Sequence, residues 1–306
     1  MIATLPQSVP VVCNTGIVAG EKAKAKDAPP DLLIEIPHGA TKLLHFESVR
    51  GLLRDSYDED LIKFFYVNTD IGAPEAAVAM TRKLVALDPT RRVRILRSLV
   101  PRTFIDCNRA PQQGADKKAK VTAQLPDYIQ DSRDIDTLRA YHDAYTEQAE
   151  RAYAEVCESG GLAITLHTYA PRSVEITDLT HEIVSQLEAA WQPEQAKKWK
   201  RRPPVDLITT TDDGEDLSPA ELVNAVKSRY QQCGIDAAEN ATYKLHSGTM
   251  GYRWAKRYAG QVLCVEFDRE RLVEEWLPLQ PMTVDRDAVD NFVDPLVQAL
   301  DEKLRA

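Results

Sequence analysis

Two imidazoles and a carboxylate brought to one point make the ligand set of a catalytic zinc site that keeps its fourth position for water, and a free carboxylate nearby can take a proton from that water. This chain of 306 residues holds such side chains in four short polar clusters: Pro37-His38-Gly39, Asn68-Thr69-Asp70, Leu166-His167-Thr168 and Val265-Glu266-Phe267-Asp268-Arg269. Taken singly, His38 and His167 read more readily as structural histidines than as ligands, and Asp70 before Ile-Gly as a turn or helix cap. Glu266 is more unusual. It interrupts the apolar run QVLCVEF (Gln261 to Phe267), where burying a carboxylate without a partner costs several kcal/mol.

A second constellation is PRTFIDCNR, Pro101 to Arg109. Period-two alternation would turn Arg102, Phe104, Asp106 and Asn108 to one side and leave the planar fork of Arg109 free to grip a carboxylate. The competing reading is an internal salt bridge between Asp106 and an arginine. The basic run Lys197, Lys198, Lys200, Arg201, Arg202 offers an anion site on its face, but reads as a solvated surface.

The elements that must position these residues follow from hydrophobic periodicity. Leu32 to Ile36, Leu61 to Val67, Arg92 to Leu99, Leu162 to Leu166 and Gln261 to Phe267 read as strands, the first stopped by Pro37 and Gly39. Helices are predicted over Pro74 to Leu87, Asp134 to Cys157, Thr180 to Trp191, Ser218 to about Cys233 and from about Arg286. Ser218, Pro219 and Glu221 make a capping signature at the fourth of these. Alternating strands and helices imply one α/β domain, with a mixed, mostly parallel sheet and helices on both faces. Ligands in that architecture bind beyond the carboxyl ends of the strands, where the polar clusters stand. Order is expected to begin near Leu32, because EKAKAKDAPPD (Glu21 to Asp31) cannot pack a core. Residues 1–30 therefore form a peripheral N-terminal extension and 31–306 a catalytic domain, with loop insertions near 111–131 and 192–216.

With 38 Lys+Arg against 47 Asp+Glu and a net charge of −9, the chain is no general phosphate binder, so nucleic acid is not expected as a partner. No apolar stretch reaches the ~20 residues that span a bilayer, and the N-terminus has no signal-peptide pattern, so no membrane association and a cytoplasmic location are expected. The five scattered cysteines, without a CxxC, suggest reduced thiols. Oligomeric state is not readable from this sequence.

In order along the chain, IPHGA (36–40), NTDIGA (68–73), RTFIDCNR (102–109), LHT (166–168), SGTMGY (247–252) and VEFDR (265–269) resemble the N-formylglutamate amidohydrolase family, itself related to zinc carboxypeptidases. The resemblance runs from about residue 32 to 275. It implies a zinc-exopeptidase-like (phosphorylase/hydrolase-like) fold, one Zn2+ held by His38, Asp70 and His167, and Glu266 as general base and then acid. It also implies that Arg109 and Asn108 hold a substrate carboxylate, a grip to which Arg102 or Arg172 would add. Tyr252 or Arg253 would stabilise the oxyanion. The chain departs from the family at Thr165-Leu-His-Thr168, Gly248-Thr-Met-Gly251 and Ala40. Glu47 and Glu75 stand as rivals to Asp70 for the ligand role. The expected function is hydrolysis of a small carboxylate-bearing amide, removing an N-formyl or other N-acyl group from an amino acid such as glutamate. The alternatives are a zinc carboxypeptidase, a deacylase of another amide, and a metal-free carboxylate-binding module.

Overall fold

The computed structural model describes residues 12–23 and 27–305. Their strands are β1 (Cys13–Ala19), β2 (Leu32–Ile36), β3 (Arg92–Ser98), β4 (Leu162–Tyr169), β5 (Val205–Ile208), β6 (Ala237–Glu239) and β7 (Val262–Asp268). The helices are α1 (Leu43–Arg50), α2 (Leu61–Asn68), α3 (Ala73–Leu87), α4 (Ser132–Cys157), α5 (Ile183–Ala190), α6 (Pro193–Ala196), α7 (Ala220–Gln232), α8 (Met250–Arg257) and α9 (Arg286–Arg305).

All seven strands join one sheet in the order β1-β3-β2-β4-β7-β5-β6. Its centre, β3-β2-β4-β7, is parallel, while β1 and β5 run antiparallel to β3 and β7. The mixed, mostly parallel α/β sheet read from the sequence is thus observed. Along β2, β4 and β7 the side chains alternate between two hydrophobic clusters. Ile34, Leu166 and Val265 pack under α3, α7 and α9, while Leu33, Ala163 and Cys264 face α2, α4, α5 and α8. His167 lies on the second face, and Glu266 is its partner in the β4–β7 register. Sheet pairing alone therefore places an imidazole and a carboxylate side by side.

Several expectations are corrected. Leu61 to Val67 is helix rather than strand. Leu61, Phe64 and Phe65 are buried at helical spacing, and three acidic residues, Asp58 to Asp60, precede the first turn, where negative charge is favoured. Order begins before Leu32: β1 pairs along the whole of β3 with Cys13 fully buried, so residues 13–19 of the supposed extension are an edge strand. The rest of that extension, apart from residues 12, 20–23 and 27–30, lies outside the described residues. The supposed insertion near 192–216 contains β5, whose four residues are all buried. Ser218 does not cap α7. Its backbone N–H and hydroxyl both donate to Asp216. Among the described residues no helix is long and apolar enough to cross a membrane.

Candidate active site

His38 follows β2 directly, Asp70 follows α2, and His167 is near the end of β4. The Asp70 N–H donates to the His38 carbonyl at 3.3 Å, the Thr69 hydroxyl to the Ala40 carbonyl at 2.7 Å, and the Thr168 hydroxyl to the Ile71 carbonyl at 2.9 Å. These bonds stitch the three segments together. Gly72, at φ 88°, lets the chain turn into α3, and a Cβ there would come within 2.9 Å of Leu272.

The three side chains converge. One ligand atom from each of His38, Asp70 and His167 lies within 4.8 Å of the other two. Asp70 Oδ2 is 3.5 Å from His38 Nδ1 and 2.9 Å from His167 Nδ1. All three residues are buried, between 2% and 6% exposed. His38 Nε2 lies 2.8 Å from Asp106 Oδ1, so the Nε2–H donates to Asp106 and Nδ1 presents its lone pair inward. That buried Nδ1 has no hydrogen-bond partner. An orphaned imidazole nitrogen, a second imidazole and a carboxylate at one point fit a divalent metal such as zinc. Neither rival carboxylate joins the group: Glu47 is exposed on α1, and Glu75 sits in the first turn of α3.

The electrostatics favour the same reading. Burial works to raise the Asp70 carboxyl, but His38 and His167 outweigh it and hold it below the ordinary range. Asp106 is likewise pushed well down against its burial by Arg102, Arg109 and His38, with Arg102 Nε at 2.8 Å. Glu266 goes the other way: burial raises it to about 7, and its Oε2 has no partner. A carboxyl poised there can exchange a proton near neutrality.

His38, Asp70, His167 and Glu266 open into one cavity of about 310 Å3. Asn108, Arg102, Arg109 and Arg172 line it too, but the stretch from Arg102 to Arg109 is a series of turns rather than a strand, and Phe104 and Ile105 are both fully buried. The alternating geometry expected there is absent because these residues fold over the end of the sheet. Arg109 is not a free fork: its Nε donates to the Thr122 carbonyl at 2.8 Å, Nη2 to the Thr122 hydroxyl at 3.1 Å, and Nη1 to the Asn108 carbonyl at 3.3 Å. The salt-bridge reading of Asp106 holds for Arg102 at 2.8 Å and for Arg109 at 3.4 Å. Asn108 sets its Nδ2 3.3 Å from His167 Nε2 and accepts from the Gly251 N–H. It thereby braces His167.

Tyr252 is not among the residues lining the cavity. It sits in the first turn of α8, capped by Thr249, and packs against the core cluster. Arg253 lies over the Trp254 ring on the outside. His246 also lines the cavity. Residues 119–122 and 172–177 form another wall, tied together by the ion pairs Lys117–Asp178 and Lys120–Glu175. Sequence reasoning missed Arg202, which lines the cavity between two tyrosine rings, and Arg269, fully buried 3.8 Å from Asp70. The signal for Arg202 was present: Pro203, Pro204 and the apolar VDLI follow it at once, so the basic run ends against a buried strand.

No protein-family model matches the chain, and no curated protein sequence does. Solved structures do. The gene product Atu2144 from Agrobacterium tumefaciens is 13% identical, with 95% of this chain and 94% of that one covered, at a TM-score of 0.50, which shows a shared fold. The N-formylglutamate amidohydrolase from Ralstonia eutropha JMP134 is 18% identical, with 95% and 98% covered, at a TM-score of 0.49.

Proposed function

We propose that this protein is a zinc-dependent amidohydrolase that removes an N-formyl or other N-acyl group from an amino acid such as glutamate. The observation that carries the reading is the convergence of His38, Asp70 and His167 around the unpartnered His38 Nδ1, on the cavity that also holds Glu266. The residue order from IPHGA to VEFDR, which resembles N-formylglutamate amidohydrolases, supports the substrate class.

His38, Asp70 and His167 would hold one zinc ion, which supplies Lewis acidity to acidify water and polarise an amide carbonyl. Asp106 keeps His38 in the tautomer that presents Nδ1, and Asn108 steadies His167. Glu266 takes a proton from the attacking water. It then returns that proton to the departing nitrogen as the C–N bond breaks, so the carboxyl ends in its starting state. The cavity wall orients the substrate and so converts binding energy into alignment.

The test is metal content by mass spectrometry on wild type, His38→Ala and His167→Ala, beside hydrolysis of N-formyl-L-glutamate, other N-acyl amino acids and short peptides. Near-stoichiometric zinc in wild type, lost in both variants and accompanied by deacylation, is the expected result. A wild type that stays unloaded after incubation with zinc overturns the hydrolase in favour of a carboxylate-binding module. Cleavage of peptides alone makes the enzyme a carboxypeptidase.

A further inference from the structure

β5 runs antiparallel to β7 with Asp206 opposite Glu266, so the residues just before β5 emerge past the carboxyl end of β7. Their path is pinned there by the Asp268 N–H, which donates to the Pro204 carbonyl at 2.9 Å, and by the Tyr169 hydroxyl, which donates to the Pro203 carbonyl at 2.6 Å. Tyr169 lies two residues beyond His167 on β4. It is therefore on the same face, about 7 Å further along the strand. Arg202 rests on that ring with its Cζ 5.0 Å from the centroid, and 5.4 Å from the ring of Tyr243.

The guanidinium is held from every side by neutral groups. Nε donates to the Ser173 hydroxyl at 3.1 Å, Nη2 to the Tyr243 hydroxyl at 2.8 Å and Nη1 to the Ala170 carbonyl at 3.3 Å. Among the described residues it makes no ion pair, unlike Arg102 and Arg109 with Asp106, Arg201 with Asp268 and Arg269 with Asp70. Arg172 beside it bonds only the Trp199 carbonyl and is likewise without a carboxylate. A partly buried, oriented guanidinium without a counter-ion is costly unless an anion arrives to complete it. The chain carries a net charge of −9, so carboxylates are plentiful, yet among the described residues none forms an ion pair with either arginine.

We infer that Arg202, flanked by Arg172 and clamped between Tyr169 and Tyr243, binds the carboxylate of the ligand that enters this cavity, the part that the family resemblance assigns to Arg109. The inference deepens the proposed function and rests on its substrate class for the identity of the anion. The planar fork suits a carboxylate. The unused hydrogens of Nη1 and Nη2 are the donors it would use. Arg202 is a specificity residue, acting on which amides are held rather than on the bond that breaks.

The test is calorimetric binding to the zinc-loaded full chain of N-acetyl-L-glutamate and of its neutral diamide, for wild type, Arg202→Met and Arg202→Lys, with thermal melting to confirm folding. Wild type is expected to prefer the charged probe, Arg202→Met to lose about 10- to 100-fold of that preference, and Arg202→Lys to fall between because it keeps charge without the fork. For any substrate that is hydrolysed, the same variants should raise KM with kcat largely kept. Equal binding of the two probes by wild type, or an unchanged preference in Arg202→Met, overturns the inference. If Arg202→Met fails to fold, Arg202→Lys decides alone, an unchanged preference again being fatal. Binding is read with Glu266→Gln added to each protein, so that hydrolysis does not enter the heat. A wild type that discriminates but hydrolyses no amide therefore defeats the proposed function and leaves Arg202 as a carboxylate anchor.

Discussion

The floor of the cavity and its far wall are built in different ways. His38, His167 and Glu266 stand at or just beyond the ends of the central parallel strands, and Asp70 stands one turn beyond a buried helix. Arg202 and Tyr243 come from segments flanking the outlying strands β5 and β6, Arg172 comes from the loop after β4 where it bridges to Arg201, and the three are held by backbone carbonyls and hydroxyls. The floor is rich in charge that is internally paired, with Asp106 between His38 and Arg102 and Asp70 between two imidazoles. The wall carries unpaired positive charge. Groups that hold a metal must be fixed before it arrives, whereas groups that recognise a ligand anion must stay unsatisfied until it comes.

The largest expected effect tests the floor. Glu266→Gln should keep zinc and lower kcat by about 10^2- to 10^4-fold, the usual range for losing a general base. A base must be ionised to act, so activity is present above the Glu266 pKa and lost as pH falls through it. Burial, outweighing the neighbouring charges, puts that pKa at about 7, and the charge of a bound zinc favours the ionised form, so the acid limb of kcat/KM should lie below 7 in the loaded enzyme. Retained activity in Glu266→Gln would move the base elsewhere.

Next in size is the brace behind the floor. Asp106→Asn should weaken zinc affinity by about 10- to 100-fold in chelator competition, because the carboxylate no longer fixes the His38 tautomer. Unchanged affinity would reduce Asp106 to a partner of Arg102. The smallest effect separates two arginines of one cavity. Arg109→Ala should cost about 1–3 kcal/mol in denaturant unfolding, from the buried acceptors it leaves unmet, with KM unaltered. A rise in KM at unchanged stability would return the substrate carboxylate to Arg109 and break the contrast between floor and wall.

How much of this was legible depends on how local the cause was. His38 after Pro37, Asp70 before Ile-Gly, and Glu266 within an apolar run are visible because a polar residue at the end of a buried strand or helix is anomalous in its own neighbourhood. The helical state of Leu61 to Val67 was ambiguous, since a seven-residue apolar run satisfies both periods. Its packing against α5 decided between them. The four residues of β5 are too few to show a period at all, and what makes them a strand is the hydrogen-bonding edge of β7.

By itself, then, the sequence determined the alternation of strands and helices, the mixed parallel sheet that follows from it, and the side chains suited to metal and base, because these rest on apolar periodicity and on the chemistry of single residues. The register that sets Glu266 beside His167, the distribution of Asp106 between His38 and Arg102, the engagement of Arg109 with Thr122 and the clamping of Arg202 by neutral groups were decided only by the tertiary structure. The reason is physical. Whether a charge is spent on a structural partner or kept for a ligand depends on which groups lie within a few ångströms, and those groups come from distant parts of the chain.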